Sequence, residues 1–286
     1  MSQKSVPARV EIPPFPYEKR IAVTTSFDDA VVQDRRVVKA FNDWGLKGTF
    51  NLNSGLLLRT GRPSTESSGH IDACEVAELY KGHEVAVHTV THPSLTKLDA
   101  TQIAMEVIED RKALEDLVGY PVRGMAYPNG AYDEKVINVL RQTGIVYSRT
   151  VENNPRCFPP AEPLAWASTA HMYSKNPCPV NENFEKLYSN KNYSGVFYIW
   201  GHTYEFERKG CDWADLERIF KPLSGKPDVW YCTNIELFDY EAARNRVVIA
   251  ANLETAFNPS AITVSIKADN RIVDVPAGKT VRLDII

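Results

Sequence analysis

Six polar residues stand at, or a few residues after, the ends of short apolar runs of the chain, and five of them are of types that bind metals or move protons. They are Asp28, Asp29, His88, His92, Asn129 and His202. Each of these runs has the composition of a buried β-strand. In a barrel of alternating strands and helices, the carboxyl ends of the strands meet at one face, where active sites are built. The sequence therefore predicts that these side chains converge.

The residue types indicate a metal-assisted reaction. His88 and His92 are four residues apart, so they share one face if the segment is helical, although a loop is also compatible. A carboxylate from Asp28 or Asp29 completes a set of two histidines and one carboxylate, which leaves open positions for water and substrate. The remaining carboxylate would then serve as a base and His202 as the opposing acid.

Each signal has an ordinary alternative when it is taken alone. Asp29 is also a suitable helix N-cap, Asn129 before Gly130 is typical of a turn, and His202 of a hydrogen-bonded histidine. The hypothesis depends on the whole set. Three other histidines are predicted to lie in an exposed loop, at the opposite end of the barrel, and in an irregular proline-rich stretch: His70, His83 and His171, in that order.

Alternating strands and helices position these residues. The predicted strands are residues 21–26, 49–52, 84–87, 124–127, 145–148, 196–200 and 229–231. The predicted helices are residues 31–44, 73–80, 101–118, 134–143, 213–223 and 235–244. This order predicts an α/β fold with a parallel sheet, most simply a (β/α) barrel, with a doubly wound open sheet as the alternative.

The two ends of the chain differ from this pattern. Residues 1–20 contain four prolines and are predicted to form an extended arm. Residues 245–286 contain short β-rich segments separated by turn residues, which predicts a small all-β appendage. The predicted division is therefore an arm over residues 1–20, a barrel domain over 21–244 and the appendage over 245–286.

Bulk composition narrows the function classes. Of the 286 residues 43% are hydrophobic, enough for a large core, and the formal net charge of -3 argues against a nucleic-acid partner. The sequence has neither an apolar run long enough for a membrane span nor the apolar core of a secretory signal. The chain as given is thus predicted to be cytoplasmic, or exported if a signal has been removed. Its five scattered cysteines are predicted to be reduced thiols.

Two motifs resemble those of a known family. Ser26-Phe27-Asp28-Asp29 is similar to the first motif, T/S-F-D-D, of the NodB-like polysaccharide deacetylases, which form carbohydrate esterase family 4. His88-Thr89-Val90-Thr91-His92 is similar to the second motif, H-S/T-x-x-H, and residues 197–206 resemble the region of the last motif. The resemblance covers about residues 21–240.

The resemblance implies a fold, a metal and a set of roles. The fold would be a distorted (β/α)7 barrel, and the metal would usually be Zn²⁺, with Co²⁺ or Ni²⁺ sometimes accepted. Asp28 would be the catalytic base, His202 the general acid, and Asp29, His88 and His92 the metal ligands. The reaction would remove acetyl groups from an N-acetylated, or O-acetylated, oligo- or polysaccharide.

The third motif departs from the family pattern R-x-P-Y/F-G. Pro128 and Gly130 align, but Ala126 stands at the arginine position, and Arg123 lies three residues earlier. Asn129 takes the place of the aromatic residue, and its backbone N–H is predicted to serve the oxyanion. The departure favours, as the alternative, a catalytically inactive carbohydrate-binding protein on the same scaffold.

The surroundings of the site complete the sequence-based hypotheses. Tyr127 and Trp200, with Trp166 and Tyr204, are candidates for stacking on a sugar ring, with burial in the core as the alternative for Trp200. Pro128 is also predicted to lie among the residues that contact the substrate or the oxyanion. Two further classes also use comparable residues, namely iron oxygenases and metal-dependent phosphohydrolases.

Overall fold

A computed structural model describes residues 6–283 of the chain. Its centre is a parallel sheet of nine strands. These strands follow β1 (Val10–Glu11) and are β2 (Ile21–Asp28), β3 (Thr49–Leu52), β4 (Glu84–Val87), β5 (Gly124–Ala126), β6 (Tyr147–Asn153), β7 (Trp166–Ser168), β8 (Ala170–His171), β9 (Gly195–Gly201) and β10 (Val229–Tyr231). Seven of them correspond to the predicted strands. The two short strands β7 and β8 were not predicted, because they lie in the proline-rich stretch.

The sheet curves into a distorted (β/α)7 barrel, as the resemblance implied. Its strand order is β7-β6-β5-β4-β3-β2-β9-β8. β2 is the central strand, and β9 pairs with its residues 21–27. The other edge of β2 is shared, with β10 beside residues 21–23 and β3 beside residues 26–28. Every residue of β2 is buried, which is expected for a parallel strand covered on both faces.

Within residues 6–283, seven α-helices surround the sheet. They are α1 (Asp34–Trp44), α2 (Val76–Leu79), α3 (Ala100–Val118), α4 (Glu134–Leu140), α5 (Val180–Ser189), α6 (Ala214–Phe220) and α7 (Asn234–Arg244). The predicted N-cap of α3 is present, since the Asp99 carboxylate accepts a hydrogen bond from the N–H of Gln102. The helix predicted over residues 73–80 is shorter, a 3-10 turn followed by α2. α5 was not predicted.

The core between the sheet and the helices contains a cluster of aromatic rings. Phe27 of β2 packs against Phe50 of β3, Phe41 of α1 and Phe220 of α6, with ring centroids 5.7–5.8 Å apart. Such ring pairs contribute about 0.5–1.5 kcal/mol each beyond the area they bury. Because Phe27 directly precedes Asp28, this packing fixes the end of β2 on which the two adjacent aspartates lie.

The appendage consists of antiparallel strands. These are β11 (Val248–Ile249), β12 (Thr255–Phe257), β13 (Val264–Ala268), β14 (Arg271–Val275) and β15 (Thr280–Arg282). The arm does not lie simply along the barrel, because β1 pairs with β13 and adds a strand to the appendage. The carboxylate of Asp269 accepts hydrogen bonds from the backbone N–H groups of Ala8 and Arg9.

Two further sequence predictions concern membrane-spanning segments and the state of the cysteines. Among the helices of residues 6–283, none has the length and apolar character needed to cross a membrane. The five cysteines are free thiols in the described part of the chain.

Candidate active site

The ends of three strands bring the predicted polar residues together. Asp28 ends β2 and Asp29 follows it, His88 follows β4, and His202 follows β9. These carboxyl ends lie at one face of the barrel, as predicted from the sequence. His92 reaches the same place from the loop after β4.

Asp29, His88 and His92 form a group with the geometry of a metal site. The Oδ1 atom of Asp29 lies 3.5 Å from Nε2 of His88 and 3.6 Å from Nε2 of His92. Ligands about 2.1 Å from a tetrahedral zinc ion are roughly 3.4 Å apart. One carboxylate oxygen and two imidazole nitrogens at these separations therefore fit a divalent ion of the zinc type.

The ring of His88 is oriented by a hydrogen bond on its far side. Its Nδ1 donates to the carbonyl of Ala126 at 2.8 Å, so Nε2 carries the lone pair that faces Asp29. Burial lowers the pKa of His88, which favours the neutral form that binds metal.

Two residues that the sequence analysis missed hold the backbone of the histidine loop. The Asp110 carboxylate accepts hydrogen bonds from the N–H groups of His88, at 3.1 Å, and Ser54, at 2.6 Å. The Asn53 amide donates to the carbonyls of His88 and Thr89. Asp110 lies on α3, far from any motif, and its only sequence signal is a charged residue on the apolar face of a helix.

The backbone around the three candidate metal ligands is locally strained. Asp29, Thr89 and His92 have φ angles of 85°, 68° and 60°. Positive φ is unusual for residues other than glycine and most of all for a β-branched residue such as Thr89. Strain of this kind clusters at functional sites. It also shows that His88 and His92 meet through a loop and not along one face of a helix.

Asp28 is buried against an arginine that the sequence analysis did not consider. The Arg149 guanidinium, from β6, bonds to both carboxylate oxygens of Asp28. The Asn51 amide donates to Oδ1 at 2.8 Å. Burial alone would raise the pKa of Asp28, but the charge of Arg149, with smaller contributions from His88 and His202, holds it well below its usual range.

His202, which follows β9, faces both aspartates. Its Nε2 is 3.9 Å from an oxygen of Asp28 and 3.9 Å from an oxygen of Asp29. Its Nδ1 is hydrogen-bonded to Glu205 at 2.6 Å, and the same Glu205 oxygen is 3.2 Å from Nε2 of His171. Burial opposes protonation of His202, but Glu205 and the two aspartates outweigh it and raise its pKa. Glu205 and His171 were not predicted as members of the site.

Two of the residues predicted to contact the substrate are buried. Tyr127 is buried and its hydroxyl donates to the carbonyl of Leu164, so both its ring and its hydroxyl are enclosed by the protein. Trp166 is fully buried and stacks on Tyr198. Tyr127 follows β5 and Trp166 begins β7, and both side chains point into the protein interior. The sequence pattern of these short strands does not show which of their side chains are covered by other elements.

The other predicted contacts lie at the rim or floor of the site. Pro128 is buried, whereas Asn129 is exposed, has a φ of 58°, and its amide lies 3.4 Å from the Ser94 hydroxyl. Trp200 is only 8% exposed, and its ring covers the Arg149 guanidinium at 4.2 Å. Trp200 therefore belongs to the floor beneath the proposed base.

The remaining histidines are accounted for by hydrogen bonds. His83 is buried before β4 and accepts from the N–H of Gly48, at the end of the barrel that was predicted. His70 was predicted to be an exposed loop residue, but it is half-buried and its Nδ1 contacts the carbonyl of Asp29 at 3.0 Å. It thus braces the strained backbone beside the metal group.

Comparison with known proteins finds a family match for the first half of the barrel. The profile of the family described as polysaccharide deacetylase matches residues 17–148. The peptidoglycan-N-acetylglucosamine deacetylase PgdA of Listeria monocytogenes is 28% identical over 159 residues, which are 54% of this chain and 31% of PgdA. Chitin deacetylase 1 of Cryptococcus neoformans is 31% identical over 68 residues, 24% of this chain and 14% of the relative. The chain thus spans less than a third of the length of these curated relatives.

Solved structures of polysaccharide deacetylase-like proteins have a similar fold. A Mycobacterium smegmatis protein assigned to the polysaccharide deacetylases superposes with a TM-score of 0.60, at 17% identity, over 84% of this chain and 95% of its own. The Xyl-CE4 domain of a xylanase from the hindgut metagenome of Trinervitermes trinervoides gives 0.52, at 17% identity, over 79% and 92%. Residues 17–148 thus match the polysaccharide deacetylase family, and the solved structures show the same fold for most of the chain.

Proposed function

We propose that this protein is a metal-dependent hydrolase that removes acetyl groups from an N-acetylated, or O-acetylated, carbohydrate. The observation that carries the proposal is the convergence of two aspartates and three histidines at the carboxyl ends of β2, β4 and β9. The three proposed metal ligands are Asp29, His88 and His92, and the two proposed proton-transfer residues are Asp28 and His202. Neighbouring side chains in this set have a nitrogen and an oxygen within 4 Å of each other. The match of residues 17–148 to the polysaccharide deacetylase family supports deacetylation as the reaction class.

In this proposal Asp29, His88 and His92 hold the metal, Zn²⁺ or in its place Co²⁺ or Ni²⁺. Their donor atoms all lie within 4.8 Å of one another, and two imidazoles with one carboxylate suit these ions. A bound ion of this kind supplies Lewis acidity, which polarises an acetyl carbonyl and makes water more acidic.

Asp28 is the proposed base. It is ionised in its buried pocket, and its Oδ2 atom lies on the side of the metal group, 3.9 Å from Nε2 of His88. From this position it takes the proton of the water that attacks the acetyl carbon. General-base catalysis of this kind contributes about 10²–10⁴-fold to a rate.

His202 is the proposed acid. The hydrogen bond from Nδ1 to Glu205 leaves Nε2 directed at the two aspartates, so its proton lies beside the reacting centre. His202 gives that proton to the departing amine nitrogen, or to the departing oxygen of an O-acetyl group. An amine leaves poorly without protonation, which makes this role more important for amides than for esters.

Asn129 is proposed to stabilise the oxyanion through its backbone N–H. It is exposed at the rim, and its side chain is next to Ser94, two residues after His92. One such donor is worth about 3 kcal/mol of transition-state stabilisation. Trp200 contributes to this site from below, by covering Arg149, and not as a stacking platform for sugar.

The substrate class is proposed from the relatives. One is named for deacetylating N-acetylglucosamine in peptidoglycan and another for deacetylating chitin. We therefore propose a polymer of N-acetylated amino sugars. A cell-wall polymer would place the protein outside the cytoplasm, so this proposal competes with the predicted cytoplasmic location.

The test measures acetate release from N-acetylglucosamine oligomers together with the metal content of the purified protein. The proposal expects stoichiometric metal, release of acetate, and loss of release after chelation that Zn²⁺ or Co²⁺ reverses. Metal and oligomer binding without acetate from any acetylated sugar would favour the inactive carbohydrate-binding alternative. Release of phosphate from phosphate esters would favour a phosphohydrolase.

A further inference from the structure

We propose that Arg149 is the positioning residue that holds Asp28 in its working orientation, an inference that rests on the proposed hydrolase function. Arg149 lies in the middle of β6, and its side chain is only 1% exposed. It comes from a strand that carries none of the residues predicted as ligands, base or acid. Its guanidinium reaches across the barrel interior to the end of β2.

The contacts around Asp28 show what Arg149 can do. Nη2 of Arg149 is 2.5 Å from Oδ1 of Asp28 and also contacts Oδ2. Asn51 adds a second donor to Oδ1. Two donors on Oδ1 fix the rotation of the carboxylate, so that Oδ2 faces Nε2 of His88 and Nε2 of His202, each at 3.9 Å. The oxygen that would receive a proton is thereby aimed at the reacting centre.

The energetics do not favour a purely structural role. Within residues 6–283, Nε and Nη1 of Arg149 have no hydrogen-bond partner. Its other neighbours include the face of the Trp200 ring and the Tyr198 side chain. Burying two ions costs several kcal/mol for each, and replacing such a pair by apolar residues is often neutral or stabilising. A guanidinium that is buried with unused donors is therefore better explained by what it does to Asp28.

Strand register explains how the arginine reaches this position. In the parallel pairing of β5 with β6, Arg149 is the direct partner of Ala126. Directly paired residues of neighbouring strands point to the same face of a sheet. Ala126 is the position at which the third motif was expected to carry arginine, so the guanidinium enters the barrel at the same height from the next strand.

The other candidate, Arg123, is engaged elsewhere. It precedes β5, and its guanidinium forms two hydrogen bonds with the carboxylate of Asp239 on α7, at 3.0 and 2.7 Å. Both side chains are more than a third exposed. Arg123 therefore provides a matched control: an ion-paired arginine adjoining the neighbouring strand but away from Asp28.

The experiment compares Arg149→Ala, Arg149→Met and Arg123→Ala with the parent, using acetate release, calorimetric Zn²⁺ binding and thermal unfolding. For the Arg149 variants we expect kcat to fall about 100-fold or more, because a misplaced base costs that much. We expect KM and Zn²⁺ affinity to stay within about threefold, and millimolar guanidinium to restore part of kcat in Arg149→Ala. Arg123→Ala should keep the parental kcat.

Three results would overturn the inference. One is a folded, metal-loaded Arg149 variant with kcat within about threefold of the parent. Another is an equal loss in Arg123→Ala, and the third is a loss of Zn²⁺ affinity that accounts for the whole loss of rate. Arg149→Met fills the space left by the stem and keeps the test available if the alanine variant does not fold. An inactive parent would overturn the proposed function first, and this inference with it.

Discussion

Glu205 joins His202 and His171 through a single carboxylate oxygen. Its Oε1 lies 2.6 Å from Nδ1 of His202 and 3.2 Å from Nε2 of His171. These hydrogen bonds outweigh the effect of burial and lower the pKa of Glu205 to about 2, so it is an anion throughout the working range. An anion behind the imidazole fixes its tautomer and supports its protonated form, which suits a proton donor.

The first prediction separates the acid from the rest of the machinery. His202→Gln should lower the hydrolysis of N-acetylglucosamine oligomers about 100-fold or more, because the amine must be protonated to leave. Hydrolysis of 4-nitrophenyl acetate should change little, since its leaving group needs no proton. Glu205→Gln should show the same contrast in weaker form, and Glu207→Gln, two residues further on, serves as the control. Equal losses on both substrates would contradict an acid role.

The second prediction decides between two groups that could hold a metal. One is Asp29, His88 and His92, and the other is His171, His202 and Glu205. His92→Ala should lower the bound Zn²⁺ well below one equivalent and abolish turnover, whereas His171→Ala should keep the metal. The two histidines are similarly exposed, at 29% and 26%, so the pair is well matched. Metal loss in His171→Ala alone would move the site to the second group.

The third prediction concerns the base. Asp28→Asn should lower kcat about 10²–10⁴-fold while the metal stays bound. It should also destabilise the protein by about 3–5 kcal/mol, because it leaves the Arg149 charge buried without its partner. Adding Arg149→Met should restore much of the stability and none of the activity. An Asp28→Asn variant that keeps substantial acetate release would contradict the role of Asp28 as the base.

Local sequence patterns predict some of the site and fold, and the rest depends on contacts between distant parts of the chain. The strand ends at Asp28, His88 and His202 were predictable because apolar runs stop there and polar residues follow. Arg149 was not, since it lies inside a strand that is otherwise unremarkable, and its role depends on the curvature of the barrel. The pairing of β1 with β13 was equally hidden, because it joins segments more than 250 residues apart.

The fourth prediction follows from a buried carboxyl group away from the cleft. Burial raises the pKa of Glu84 from its ordinary 4.5 to about 7, despite hydrogen bonds from Tyr147, Thr49 and the backbone of Ile235. The folded state thus holds this proton more tightly than the unfolded state. Its contribution to stability is complete below pH 4.5 and is lost as the pH rises through 7.

Glu84→Gln removes that dependence. Urea unfolding at pH 5, 7 and 9 should show the stability of the parent falling relative to the variant by up to about 3 kcal/mol across this range. Glu78→Gln, whose side chain is 85% exposed, is the control and should follow the parent. A constant difference between parent and Glu84→Gln at all three pH values would refute the assignment.

The fifth prediction concerns the division of the chain. We propose that residues 21–244 form the barrel domain and that the arm and residues 245–286 form one β unit beside it. Ile12 packs against the apolar core of the appendage and against the cluster around Tyr240 of α7. Ile12→Asp should therefore cost about 2 kcal/mol or more in unfolding free energy. Val6→Asp, at an exposed position of the same arm, should cost little.

A variant of the arm with parental stability would show that the appendage does not depend on it. In that case the arm would be a separate element, as the predicted boundaries at residues 20 and 244 imply.

The register of Ala126 opposite Arg149 bears on how enzymes are recognised in genomes. A linear pattern that demands arginine in the third motif would class this chain among degenerate copies that have lost their chemistry. A structure-based search that requires only an arginine guanidinium in contact with the first aspartate of the S-F-D-D motif would retain it. Chains discarded as inactive on a motif criterion are therefore worth sorting again by which neighbouring strand carries the missing charge.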